Sequence, residues 1–146
     1  MKQLSRWMRV VGILYVLNGV ALVGMYLTPA IRGALLDQAV PGADPTHPLA
    51  EWGMEIWLMF GFEMLVVGAA VVVASRNAWA NRILAYTVLG LELIRGIVDD
   101  VVWIAKGYPP GVYVAWMIFH SILILTGVLA LRRAHSESRD RALVPA

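Results

Sequence analysis

The sequence predicts an all-α integral membrane protein, a four-helix bundle of up-down-up-down topology with both termini in the cytoplasm. Composition is the first reason: 60% of the 146 residues are hydrophobic and 15% charged, where soluble domains average about 45–50% and about 25%. The second is four apolar runs, each near the roughly 20 residues that a helical span requires. The third is charge placement. Nine basic residues (Lys2, Arg6, Arg9, Arg76, Arg82, Arg132, Arg133, Arg139, Arg141) fall on one side of the implied membrane and Arg32 and Lys106 on the other, which sets the basic side inward. Lipid cannot hydrogen-bond a bare backbone, so the runs must be helices.

The first span covers about 10–28 and carries no charge. It exceeds the 7–15 residue apolar core of a signal peptide, so the helix is expected to stay. Residues 29–51 hold Pro29, Pro41, Pro45 and Pro48 and read as an external loop with a short interfacial helix near Ile31 to Ala39. The second span is expected at 52–75, and a tight polar turn leads to the third at 82–105. Lys106 to Gly111, rich in glycine and proline, breaks the chain before the fourth span at 112–131. The tail, 132–146, reads as polar, frayed and cytoplasmic. Trp7, Trp52, Trp79, Trp103, Tyr26, Tyr108 and Tyr113 fall near span ends, where amphipathic rings favour the headgroup region.

Several chemistries are excluded. The chain has no cysteine, hence no disulfide, thiolate nucleophile or cysteine-based metal site. It has no phosphate-binding glycine loop, nucleophile elbow or zinc-protease motif. Di-iron bundles use Glu-x-x-His, and Glu92-Leu93-Ile94-Arg95 puts arginine where histidine belongs. No metal and no cofactor is expected. The basic residues flank apolar runs and form no surface stripe, which argues against nucleic acid.

Charges at membrane depth are costly and usually face a bundle interior. At 3.6 residues per turn, Glu92, Arg95, Asp99 and Trp103 share one stripe of the third span, with Asp100 beside it. The second span offers Glu63 and the first Asn18, while Tyr113, Trp116 and His120 line the fourth. At 1.5 Å per residue, Glu63, His120 and Arg95 lie about 18–20 Å from the cytoplasmic arginines, Glu92 about 15 Å and Asp99 about 25 Å. These side chains are the candidate ligand-binding set, and their excess of acid over base calls for water, a proton or a cation. A buried ion network that only holds helix register is the competing reading. Gly61, Gly68 and Ser75, seven residues apart, form a smooth seam that offers a homo-oligomer contact.

The strings RWMRVVGILYVLNGV, FGFEMLVVGAAVVVASR, GLELIRGIVDDVVWIAKGY and HSILILTGVLALRR resemble the small four-span bacterial proteins called BphX-like, and in layout the broader DoxX-like group. Glu63 and the E-x-x-R-G-x-x-D-D string are the specific marks. The resemblance implies a multi-pass protein of the cell inner membrane with a link to aromatic or hydrophobic compounds, and assigns no catalytic residue. Three function classes stay open. In the first, the protein binds or passes a small hydrophobic compound, aromatic or cationic, in a polar intramembrane pocket, with the lipid bilayer as its other partner. The second is a membrane-embedded acid–base enzyme of isomerase or cyclase type. The third is a structural bundle or interaction subunit around a buried ion network.

Overall fold

A computed structural model describes residues 1–39, 44 and 47–142. Among them every regular element is helical: α1 (Lys2–Leu27), α2 (Pro29–Ala39), α3 (Pro48–Ala74) with a 3₁₀ turn Ser75–Asn77, α4 (Arg82–Leu93), a π-helical turn Ile94–Val98, α5 (Asp99–Ala105) and α6 (Pro110–Ala142). The expected prolines Pro41 and Pro45 lie outside the described residues. α2 stands where the interfacial helix was expected. Three helices, Lys2–Leu27, Pro48–Asn77 and Pro110–Arg141, are long and apolar enough to cross a membrane. The third expected span, α4 to α5, runs without a break from Arg82 to Ala105 but passes through the π turn.

Local chemistry sets the helix ends. α2, α3 and α6 each begin on proline, whose fixed φ and missing N–H suit the first helical position. His47 caps α3, its Nδ1 accepting the Leu49 backbone N–H at 3.2 Å. α5 closes through Gly107 at φ 93°. There the Gly107 N–H donates to the Ile104 carbonyl at 3.0 Å and the Tyr108 N–H to the Trp103 carbonyl at 3.2 Å, the paired bonds of a Schellman end. The ring contact that usually accompanies this motif is present, with Trp103 and Tyr108 edge-to-face at 4.9 Å.

The chain divides into two compact units, Met1–Val11 with Val71–Ala146, and Gly12–Ala70. Within Gly12–Ala70, α1 and α3 approach through glycine. A Cβ added to Gly19 would lie 2.7 Å from the Gly61 carbonyl oxygen, and one on Gly68 would lie 2.7 Å from that of Gly12. Tyr15, Leu22, Met54 and Met64 are buried there. In the other unit Ser5 Oγ donates to the Ser75 carbonyl at 2.6 Å. The stripe read as a subunit seam, Gly61, Gly68 and Ser75, is thus filled by α1 of the same chain. Its counterpart on α1, Ser5, Gly12 and Gly19, repeats the spacing of seven.

The core of the unit Met1–Val11 with Val71–Ala146 holds Leu4, Met8, Val11, Val71, Ala85, Val88, Ala130 and Ala134. Trp7 faces inward and not toward a headgroup belt. Its ring lies over Gly127, and its Nε1 donates to Thr126 Oγ1 at 3.3 Å. The tail also departs from expectation, because α6 stays helical to Ala142. Tertiary contacts hold it: the Met1 amino group pairs with Glu137, Arg133 Nη1 donates to Gln3 Oε1 at 2.9 Å, and Trp79 meets His135 with ring centroids 5.9 Å apart.

The glycine crossing makes a stability prediction. Gly68→Ala should destabilise the detergent-solubilised protein by about 1–3 kcal/mol, since backbone must move to admit the methyl. Gly24→Ala, whose Cβ meets nothing within 4 Å, should be neutral or stabilise by up to about 1 kcal/mol through helix propensity. Thermal denaturation of the two variants side by side checks the contrast.

Candidate functional site

A uniform helix turns about 100° per residue, which puts Asp99 about 20° from Glu92 and Asp100 about 80° away on the other side. The helix here is not uniform. The Asp99 N–H reaches back five residues to the Ile94 carbonyl, so one extra residue is absorbed in the turn and everything after it lags by about 100°. Asp100 therefore takes the place on the Glu92 stripe that the sequence assigned to Asp99. Burial follows the corrected register: Glu92 is 3% exposed and Asp100 8%, Gly96 is buried between them, and Arg95 and Asp99 are exposed. Turns of this kind are frequent at functional sites.

α6 packs against α4, the π turn and α5 and brings His120 to this stripe. His120 Nδ1 lies 2.6 Å from Glu92 Oε2. With the carboxyl ionised, the imidazole N–H donates along a short, charge-assisted bond. Gly96 makes the approach possible, because a Cβ there would overlap the His120 ring itself. Asp100 is within electrostatic reach of His120 and Asp99, and Tyr113 is within reach of Asp100. The Asp100 Oδ2 atom is sealed from solvent and has no hydrogen-bond partner among the described residues.

Aromatic rings border the pair. Trp116 and Phe119 lie with centroids 6.0 Å and 5.6 Å from His120. Trp116 itself is exposed, so it forms an outer wall. Tyr113 meets Tyr108 edge-to-face at 6.2 Å, and Trp103 carries the Lys106 ammonium 5.0 Å above its ring. A shallow apolar depression of about 420 Å³ on α6, lined by Val114, Met117, Ile118, Ser121, Ile122 and Leu125, is centred about 130° around the helix from His120. It is not part of this site.

Of the side chains singled out in the sequence, Glu92, His120, Tyr113 and Trp116 gather here, with Trp103 toward the α5 end. Arg95 and Asp99 turn away from the buried stripe. Glu63 and Asn18 belong to the unit Gly12–Ala70, where Glu63 is half-buried and Asn18 Nδ2 donates to Met64 Sδ at 3.4 Å. Asp100, which the sequence places beside the stripe and outside the candidate set, belongs to it, and Gly96 and Phe119 are not singled out in the sequence at all. The signal for the first two is the spacing 92, 96, 100, an i, i+4, i+8 series that spreads over about 80° of a regular helix and that the widened turn draws into one line. Among the described residues no group of three or more His, Cys, Asp or Glu is placed to hold a metal ion.

Three helices long and apolar enough to cross a membrane point to a helical membrane protein. The chain belongs to the BphX-like family, whose profile matches residues 1–136. No curated protein and no solved structure matches it.

If Gly96 serves to admit the imidazole, Gly96→Ala and Glu92→Gln remove the same interaction. Each alone should cost about 1–3 kcal/mol, and the double variant should cost less than the sum by about 0.5–3 kcal/mol. Additive losses in a double-mutant cycle, read by chemical or thermal unfolding, would separate the glycine from the bond.

Proposed function

We propose that this is a multi-pass inner-membrane protein, with four spans and both termini cytoplasmic, that binds or passes a small hydrophobic compound at the Glu92–His120–Asp100 site. One observation carries the reading: a bond between the buried Glu92 carboxyl and the half-buried His120 imidazole stands on the same stripe as a second buried carboxyl, Asp100, whose Oδ2 has no partner among the described residues. Holding helices in register needs no such atom. A fully satisfied polar network fixes packing, whereas an unsatisfied buried acceptor weakens it. Such groups in native proteins call for an explanation, and at membrane depth the default is function. Trp116, Phe119 and Tyr113 supply apolar surface around the polar centre, the composition of a small-molecule site. The nine-to-two division of basic residues supports the orientation.

The same pair favours a second reading. An imidazole oriented by a carboxylate is also the arrangement of a general base, which fits acid–base chemistry on a lipid-soluble substrate. Recovery of a bound compound in altered form would select that reading, and recovery unchanged would select binding or passage.

The test is thermal unfolding of the purified protein with hydrophobic aromatics and sterol-like amines, against sugars and nucleotides. At about a hundredfold excess over Kd, a true ligand should stabilise by about 2.7 kcal/mol. His120→Phe is a poor probe because it breaks the Glu92–His120 bond itself. Trp116→Ala leaves the bond alone, and should abolish the ligand shift while the unliganded melting temperature stays nearly unchanged. No shift with any hydrophobic compound would contradict the proposal.

A further inference from the structure

We infer that the Asp100 carboxyl is an exchange site that holds either a proton or the ammonium group of a small hydrophobic amine, and not both. This rests on the ligand reading above and adds the ion that the ligand displaces.

Charge balance distinguishes Asp100 from its neighbours. Glu92 and His120, hydrogen-bonded at 2.6 Å, form a pair whose net charge is zero while they share one proton, whichever of the two carries it. Asp100 has no such counterpart. The groups around it are Glu92 on α4, Asp99 on its own helix, and His120 and Tyr113 on α6. Arg95, the cation carried by the π turn, is exposed. An ionised Asp100 therefore adds one further negative charge at a largely buried carboxyl whose Oδ2 is closed to water, a state that low-dielectric surroundings disfavour.

Two events can neutralise it. A proton can sit on the carboxyl, or a monovalent cation can lie against Oδ2. Binding then replaces one with the other: Asp100–COOH + R–NH₃⁺ → Asp100–COO⁻·⁺H₃N–R + H⁺. The carboxyl O–H bond breaks, the proton leaves to water, and an ammonium N–H donates to the oxygen in its place. No covalent bond to the ligand forms.

The surroundings choose an ammonium over a metal cation. A hard metal ion needs several oxygen ligands, and no group of three or more carboxylates and imidazoles among the described residues is placed to provide them. An ammonium is satisfied by one or two acceptors together with aromatic faces. Trp116 and Phe119 beside His120 offer those faces, and they match an apolar R group.

The test uses the full chain in zwitterionic lipid nanodiscs and isothermal titration calorimetry with benzylamine, which is charged at neutral pH. Titrations in two buffers of different ionisation enthalpy count the protons released. The expected count rises toward one per benzylammonium bound as pH is lowered, and there affinity falls about tenfold per pH unit. Neutral benzyl alcohol should release none. Asp100→Asn should abolish proton release and weaken benzylammonium at least tenfold, while Asp99→Asn keeps the release and stays within twofold. Benzylammonium bound without proton release, or release that survives Asp100→Asn, would overturn the exchange. The proton count is made on the unaltered chain, so it stands even where a variant fails to fold. Binding of benzyl alcohol alone would overturn the exchange and leave the hydrophobic-compound reading in place; binding of neither would overturn both.

Discussion

An imidazole ring has to lie directly on helix backbone for Glu92 and His120 to bond where they do, and that contact is the constraint from which the site follows. Gly96 supplies it, since any Cβ at that position overlaps the ring. The π turn supplies the rest. By absorbing one residue between Ile94 and Asp99, it turns Gly96 and Asp100 onto the face that already carries Glu92 and turns Asp99 off it. A regular α-helix through the same sequence would present Arg95 and Asp99 to α6, and the buried centre would contain an arginine. The geometry instead buries the Glu92 and Asp100 carboxyls on the stripe that His120 covers and turns Arg95 and Asp99 to its exposed side.

Small residues do the comparable work where α1 meets α3. The spacing of seven on α3 is mirrored on α1, so Gly12 lies against Gly68 and Gly19 against Gly61. In lipid there is little hydrophobic force between helices, and close backbone approach with dense packing replaces it. Gly127 under the Trp7 ring applies the same device to an aromatic side chain. Glycine in this chain is thus a packing surface at four contacts between helices, Gly96 under His120 included, while Gly107 at φ 93° is the position where its backbone freedom is used.

Much of the fold is legible in the sequence because lipid leaves so few options: an apolar run of span length must be helical. The end of α5 at Ala105 and the short helix that begins at Pro29 follow from punctuation by proline and glycine, and the start of α4 at Arg82 from the polar turn before it. The helical tail does not, because its polar residues gain their order from partners distant in sequence, such as Gln3 for Arg133. In the site, Glu92 and His120 are legible as ionisable groups at matching depth. Asp100 is not, since a count at 100° per residue selects its neighbour, and a π turn of five ordinary residues, IRGIV, announces itself only through the packing it enables. Gly61, Gly68 and Ser75 were visible as a stripe, but a stripe does not name its partner, and the matching one on α1 lay unnoticed.

The account stands or falls on which aspartate faces the imidazole. Solid-state NMR of the chain in lipid bilayers, with ¹⁵N-labelled histidine and ¹³C-labelled side-chain carboxyls, measures this through dipolar couplings from the His120 ring nitrogens. Couplings to the Glu92 and Asp100 carboxyl carbons, with none to Asp99, are the predicted result. A coupling to Asp99 in place of Asp100 would mean an unbroken α-helix through residues 94–98, and would contradict the site described above.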